Sequence, residues 1–211
     1  MFCMKVETKI IIPAAGFGTR VGSPEAKELI GHQGKPLILK AIEIGQKLGI
    51  PCHVITREEK RSLIEFLSQY SHVSTQVIKP SKEWPDTILQ SKAFWADRNI
   101  LILPDTTWSP ENIEVKILDA LNNYDIAIGA FQTDNYKTWG VFNSKSNTYS
   151  LVEKPQINNP HYLAWGLLAF RKEVGESLFE KILESTFDHQ EKNTAFTFQF
   201  FKLDQFTDLT R

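Results

Sequence analysis

The sequence predicts an α/β protein, with helices on both faces of a mostly parallel, mixed sheet in three layers. Three observations carry that expectation. Short apolar runs rich in β-branched residues alternate with amphipathic helical patterns from residue 9 to residue 105. The first of those runs breaks into glycines at its C-terminal end. Beyond residue 139 strand-like runs follow one another closely, which reads as an antiparallel addition to the same sheet. The 211 residues suffice for one substantial core and are read as a single domain, 1–211, with halves meeting at about residues 135 and 136.

Each element has its own justification. "KIIIPAA" is short, β-branched and closed by glycines, as a fully buried strand should be. "PLILKAIEIGQKLGI" then spaces its apolar residues as a helix. "CHVIT" is a strand, "REEKRSLIEFLSQY" an amphipathic helix and "STQVIKP" a strand. "DTILQSKAFWADR" reads as a helix and "NILILPD" as a buried strand. "PENIEVKILDALNNY" is expected to be helical with Pro110 near its first turn. "DIAIGAF", "WGVFN", "TYSLVEKP" and "YLAWGLLAF" are strands, followed by the helix "KEVGESLFEKILES" and the strand "FTFQFFKL".

Composition narrows the function classes. A formal charge of −1 argues against a nucleic-acid or acidic-membrane partner. No run approaches the ~20 apolar residues of a membrane span. The start, "MFCMKVETK", is too short and polar for a secretory leader, so a cytoplasmic location is expected. Cys3 and Cys52 lack metal spacing and are read as reduced thiols. The five histidines share no spacing and are read as surface or core residues.

The stretch "AAGFGTR", residues 14–20, stands where the first strand leaves the sheet's carboxyl edge, the edge at which open α/β sheets bind ligands. Gly16 and Gly18 permit a tight turn that aims backbone N–H groups at an anion. The dinucleotide pattern G-x-G-x-x-G fails, because position 21 is Val21 and the third glycine is Gly22. Arg20 and Lys27 share the excursion. Singly, each is an ordinary surface charge. Together they suit attack on an α-phosphate, where negative charge grows on phosphate oxygens and on departing pyrophosphate.

With "AAGFGTR" at 14–20, "AKEL" at 26–29 and "GKPLI" at 34–38, the chain resembles the sugar-1-phosphate nucleotidyltransferases, or sugar-nucleotide pyrophosphorylases. "LPDT", "WGV", "EKP" and "AWGLLAF" continue the likeness in order along nearly the whole chain. The resemblance implies the Rossmann-like nucleotide-diphospho-sugar transferase fold. It implies that an NTP and a sugar 1-phosphate give an NDP-sugar and pyrophosphate, with Mg²⁺ as cofactor. Ala14, Ala15, Gly16, Gly18 and Thr19 would hold the triphosphate, and Gln90 is a candidate base contact. Arg20 would grip the β- and γ-phosphates, and Lys27 the α-phosphate and sugar phosphate. Gly140 and Glu153 would meet sugar hydroxyls, and Lys154 the sugar phosphate.

Asp105 stands at the family's metal-binding aspartate. It also has independent support, since a carboxylate at the end of "ILILP" suits a ligand-bound cation better than plain solvation; the alternative is a turn or cap residue. A second metal aspartate belongs to a D-x-G-T pattern. "DQFT" places Asp204 at that spacing with phenylalanine in the glycine's place, and Asp208 competes with it. Glu153 and Lys154 have a plainer alternative as a surface ion pair before a proline turn. Trp139 and Trp165 flank the expected sugar pocket, as core or as stacking surface.

Several features depart from the family. Ala26 replaces a proline, and "SPEAKEL" could start a helix capped by Ser23. "EWPDTILQS" replaces the glycine-rich segment that reads the base, leaving nucleotide choice open. The chain stops at Arg211 without the C-terminal extension that many relatives use to oligomerise, so a monomer or small homo-oligomer is expected. Two rival readings remain: a cytidylyltransferase for a non-sugar phosphate (alditol, choline or isoprenoid precursor), and a catalytically weak binding protein on this fold.

Overall fold

The computed structural model describes residues 6–16, 26–143, 150–157 and 159–209. Gly18, Thr19 and Arg20, with Ser23 and Cys3, lie outside the described residues.

The run read as the first strand forms β1 (Thr8–Pro13), with Ile10, Ile11 and Ile12 fully buried. Strand side chains alternate between faces, so Ile10 and Ile12 join one core while Ile11 joins the other. A 3₁₀ turn (Lys27–Leu29) and a small hairpin, β2 (Gly31–His32) with β3 (Lys35–Pro36), lead into α1 (Leu39–Leu48). Gly49 ends α1 in the left-handed conformation, at φ 65°, that a glycine adopts without strain. Then follow β4 (Cys52–Thr56), α2 (Arg61–Leu67), β5 (Val73–Val77), α3 (Trp84–Leu89) and β6 (Arg98–Ile102).

β6, β1, β4 and β5 lie side by side and parallel. The chain steps outward from β1 to β4 to β5, then returns to β6 on the far side of β1. Right-handed crossovers therefore put α1 and α2 on one face and α3 on the other. The cores agree: Ala41, Ile42, Leu63 and Leu67 pack with Ile10, and Ile88 packs with Ile11. The reversal leaves a crevice beyond the carboxyl ends of β1 and β6.

The second half adds β7 (Thr106–Ser109), α4 (Ile113–Ala120), β8 (Ile126–Phe131), β9 (Gly140–Asn143), β10 (Ser150–Glu153) and β11 (Tyr162–Arg171). It closes with α5 (Lys172–Asp188), β12 (Lys192–Asn193), β13 (Phe198–Lys202) and β14 (Gln205–Asp208). β11 runs antiparallel to β6 through Leu167–Arg171, and to β9 through Tyr162–Ala164. On one edge it thus changes neighbours at Trp165, where β6 and β9 part. The addition is mainly antiparallel, as expected, but β13 runs parallel to β8.

Three local expectations need correction. The helix read over 86–98 is α3 followed by a separate 3₁₀ turn, Lys92–Phe94. Ser91 Oγ donates to Ile88 O at 2.7 Å, and Trp95, buried and extended, stops the winding. Pro110 precedes rather than opens the helix, since α4 starts at Ile113 after Asn112 in the left-handed region. The part of "SPEAKEL" within the described residues forms only the single 3₁₀ turn.

Candidate active site

A cleft of about 410 Å³ opens beyond the carboxyl ends of β1, β4 and β6, where β6 and β9 diverge. Ala15 and Gly16 reach it from β1, Arg57 from β4, and Asp105 from the turn after β6. The 3₁₀ turn contributes Lys27 and Glu28, and the start of α3 contributes Trp84 with Glu83 just before it. Trp139, Gly140, Glu153, Lys154 and Trp165 come from the second half, and Asp208 from β14.

At one end Lys27 Nζ donates to Asp105 Oδ2 at 2.5 Å in a part-buried ion pair. Arg57 is buried, with its guanidinium 3.2 Å from Glu59. Behind this wall Lys60 Nζ donates to Ala14 O at 2.7 Å and to both Glu28 carboxylate oxygens, at 2.8 and 2.9 Å.

The other end is aromatic. Trp84 Nε1 donates to Glu153 Oε1 at 3.2 Å, and the rings of Trp84 and Trp165 lie 5.1 Å apart. Glu153 is 4% exposed, yet its Oε2 has no hydrogen-bond partner among the described residues. A methyl group placed on Gly140 would stand 2.4 Å from that oxygen and 2.4 Å from Trp165 Nε1. Without a side chain, Gly140 thus lets a carboxylate acceptor and an indole donor both approach its backbone closely. Burial pushes the Glu153 carboxyl above its usual range; the Trp84 hydrogen bond and Lys154 oppose that rise, while Glu83 adds to it. Lys154 holds a left-handed backbone (φ 49°), donates its N–H to Trp139 O at 3.0 Å, and brings its ammonium 3.9 Å from Glu83.

The residues singled out in the sequence are distributed as follows. Ala15, Gly16, Lys27, Asp105, Gly140, Glu153 and Lys154 share the cleft. Ala14 is buried behind it, its N–H on Ile55 O and its carbonyl on Lys60. Gln90 does not line it: the Gln90 amide reaches back to Lys79 O at 3.4 Å. Asp204 does not line it either. It is exposed, 3.5 Å from Lys202, on a separate hollow of about 940 Å³ lined by the ends of β8 and β13 and by β14. Pairing of β14 with β7 sets Asp208 opposite Thr106, and Leu209 N donates to Asp105 O at 2.8 Å, so Asp208 is the aspartate beside Asp105. Arg57, Trp84 and the Lys60–Glu28 pair were not singled out as site residues. Arg57 had one available signal, its place directly after a strand that ends at the ligand-binding edge.

A sequence model of the nucleotidyl transferase family matches residues 9–205. The chain belongs to that family. Among solved structures, similarity reaches a protein assigned as a glucose-1-phosphate thymidylyltransferase of Bacillus anthracis, with TM-score 0.78, 18% identity, and coverage of 96% of this chain and 90% of that one. A UDP-glucose pyrophosphorylase from Acinetobacter baumanii aligns at TM-score 0.73 and 15% identity, over 97% of this chain and 89% of its own. An inositol-1-phosphate CTP transferase from T. maritima aligns at 0.71 and 18%, over 97% and 89%. No curated protein sequence matches the chain. The nucleotidyltransferase has the mixed, mainly parallel sheet of these structures, and its cleft occupies the switch point that the strand order creates. Among its described residues no helix is long and apolar enough to cross a membrane.

Proposed function

We propose that this nucleotidyltransferase joins the nucleoside monophosphate part of an NTP to a sugar 1-phosphate, releasing pyrophosphate. The observation that carries the acceptor assignment is Glu153. A buried carboxylate whose Oε2 lacks a partner among the described residues, with the Trp165 indole N–H close by at Gly140, suits a hydroxyl that donates to one and accepts from the other. The same carboxylate would repel a phosphate. The acceptor's hydroxyls therefore lie at the Trp84–Trp165 end and its phosphate points toward Lys154 and Lys27.

The first half, to about residue 135, holds the NTP, and the second holds most of the acceptor, with Trp84 crossing between them. The acceptor's phosphate oxygen attacks the α-phosphorus in line. A new P–O bond forms as the bond to the bridging oxygen breaks, and pyrophosphate leaves with the electron pair. Lys27 stabilises charge on the α-phosphate oxygens, and Arg57 adds a second cation near Gly16. Arg20, Gly18 and Thr19 are assigned to the triphosphate by family position.

Asp105 and Asp208 fit Mg²⁺. Both are carboxylates on the cleft, the hard oxygen donors this ion takes together with phosphate and water. Among the described residues no cluster of three or more His, Cys, Asp and Glu converges, so the ion would be shared with the substrate rather than caged by protein. When bound it neutralises phosphate charge and orients the leaving group. With such an ion held by Asp105, the Lys27 ammonium, which pairs with that carboxylate here, would be available to the α-phosphate.

The test is pyrophosphate release from purified protein supplied with each NTP, Mg²⁺ and a panel of phosphates. Because one structural neighbour takes inositol 1-phosphate, the panel includes inositol, alditol and choline phosphates beside sugar 1-phosphates. Release with sugar 1-phosphates, made less selective by Glu153→Gln, is expected. Turnover of choline phosphate alone would reject a polyhydroxylated acceptor.

A further inference from the structure

We infer that Lys60, through its pair with Glu28, is the positioning residue that sets the phosphate end of the cleft; the inference rests on the function proposed above. An ammonium has three N–H donors, and here three acceptors surround it: Ala14 O and the two oxygens of Glu28. Lys60 is 4% exposed and Glu28 0%. Each partner belongs to a different segment. Ala14 ends β1 and leads into Gly16, Glu28 follows Lys27 in the 3₁₀ turn, and Lys60 N donates to Arg57 O at 3.1 Å before α2 begins. One buried ammonium thus ties together the three backbones that deliver Gly16, Lys27 and Arg57.

Stability alone does not account for the pair. Removing two charges from water offsets most of their attraction, and well-packed apolar residues of similar volume generally serve a fold as well or better. Direction is what such residues lack. Hydrogen bonds from a fixed ammonium define where Ala14 and Glu28 sit, whereas methylene contacts tolerate sliding. Small displacements matter at this end, since a misplacement of about 1 Å costs on the order of a hundredfold in rate. The cations behind and before the wall also interact: burial lowers the Lys60 pKa, Glu28 opposes this, and Lys27 and Arg57 lower it further.

The test compares wild type, Lys60→Met, Glu28→Gln and the double variant Lys60→Met/Glu28→Met. Each single change leaves one member of the pair buried alone, so both should melt lower than wild type. The double variant should recover most of that loss. Its kcat, per folded molecule and well below melting, should nevertheless fall by about thirtyfold or more. Its KM for NTP should rise more than its KM for the sugar 1-phosphate, whose phosphate Lys154 also holds. Backbone amide exchange needs no turnover and should accelerate at residues 14–16 and 26–30, with α5 unchanged. A double variant with kcat within threefold of wild type, or with KM for the sugar 1-phosphate raised as much as KM for NTP, overturns the inference, as does unchanged exchange at those residues. If wild type itself releases no pyrophosphate, the proposed function has failed, and the exchange measurement still decides the positioning.

Discussion

The two ends of the cleft are built on opposite electrostatic plans. At the phosphate end six of the described charges pair with one another: Lys27 with Asp105, Lys60 with Glu28, Arg57 with Glu59. At the acceptor end Glu153 is buried among indoles, with one oxygen unmatched among the described residues. Pairs can exchange partners, so the phosphate end can take up a highly charged substrate without first holding isolated charges out of water. An unmatched buried acceptor does something different. It penalises any ligand lacking a hydroxyl at that point, which is a source of selectivity rather than of rate. Rate should therefore be lost at one end and discrimination at the other.

The largest effect should come from the phosphate end. Lys27→Ala removes a donor to the reacting phosphate and should lower turnover by roughly a hundredfold or more, equally for every sugar 1-phosphate accepted. Asp105→Asn should abolish Mg²⁺-dependent pyrophosphate release. A Lys27→Ala enzyme whose loss differs widely between acceptors would show that the ends are not separable.

The identity of the second aspartate comes next. Asp208→Asn should raise the Mg²⁺ concentration needed for half-maximal rate by about tenfold, the effect of one lost carboxylate ligand. Asp204→Asn, out on the β8–β13 hollow, should leave it within about twofold. Mg²⁺ titrations of the two variants decide the matter, and the reverse ranking would remove Asp208 from the metal site.

This pair also marks where the sequence stops being legible. β1, β4, β6, β8 and β11 could be read because they are buried runs whose β-branched and aromatic residues suit no other element. Gly16, Lys27, Asp105, Gly140 and Glu153 stand in the motifs that carry the family resemblance, and the five line one cleft. Choosing between Asp204 and Asp208, four residues apart, depends on the register of β14 against β7, a pairing made across about a hundred residues. Lys60 looks like any solvated charge in "REEKRSLIEFLSQY", and only folding shows Glu28 and Ala14 closing over it. The break at Ser91 is not legible in the sequence because its side-chain bond to Ile88 O competes locally with a helical pattern that otherwise continues.

The smallest effect sharpens the acceptor end. A hydroxyl donating to Glu153 favours the ionised carboxylate, so acceptor binding is complete above the free enzyme's Glu153 pKa and is lost as pH falls through it. That pKa is raised, chiefly by burial, so KM for the sugar 1-phosphate should begin to climb at a higher pH than an ordinary glutamate would dictate. Trp84 opposes the rise by donating to Oε1. Trp84→Phe keeps an aromatic ring and removes that donor, so the pKa should go higher and the climb in KM should start at a still higher pH. On the alkaline plateau Glu153 is ionised in both enzymes, and KM there should agree within about threefold. KM for NTP should show no such displacement, because Glu153 and Trp84 stand at the acceptor end. Measuring both KM values against pH in the two proteins separates the possibilities. A rise in acceptor KM by the same factor at every pH would mean that Trp84 contributes packing alone, and that its N–H does not set the charge of Glu153.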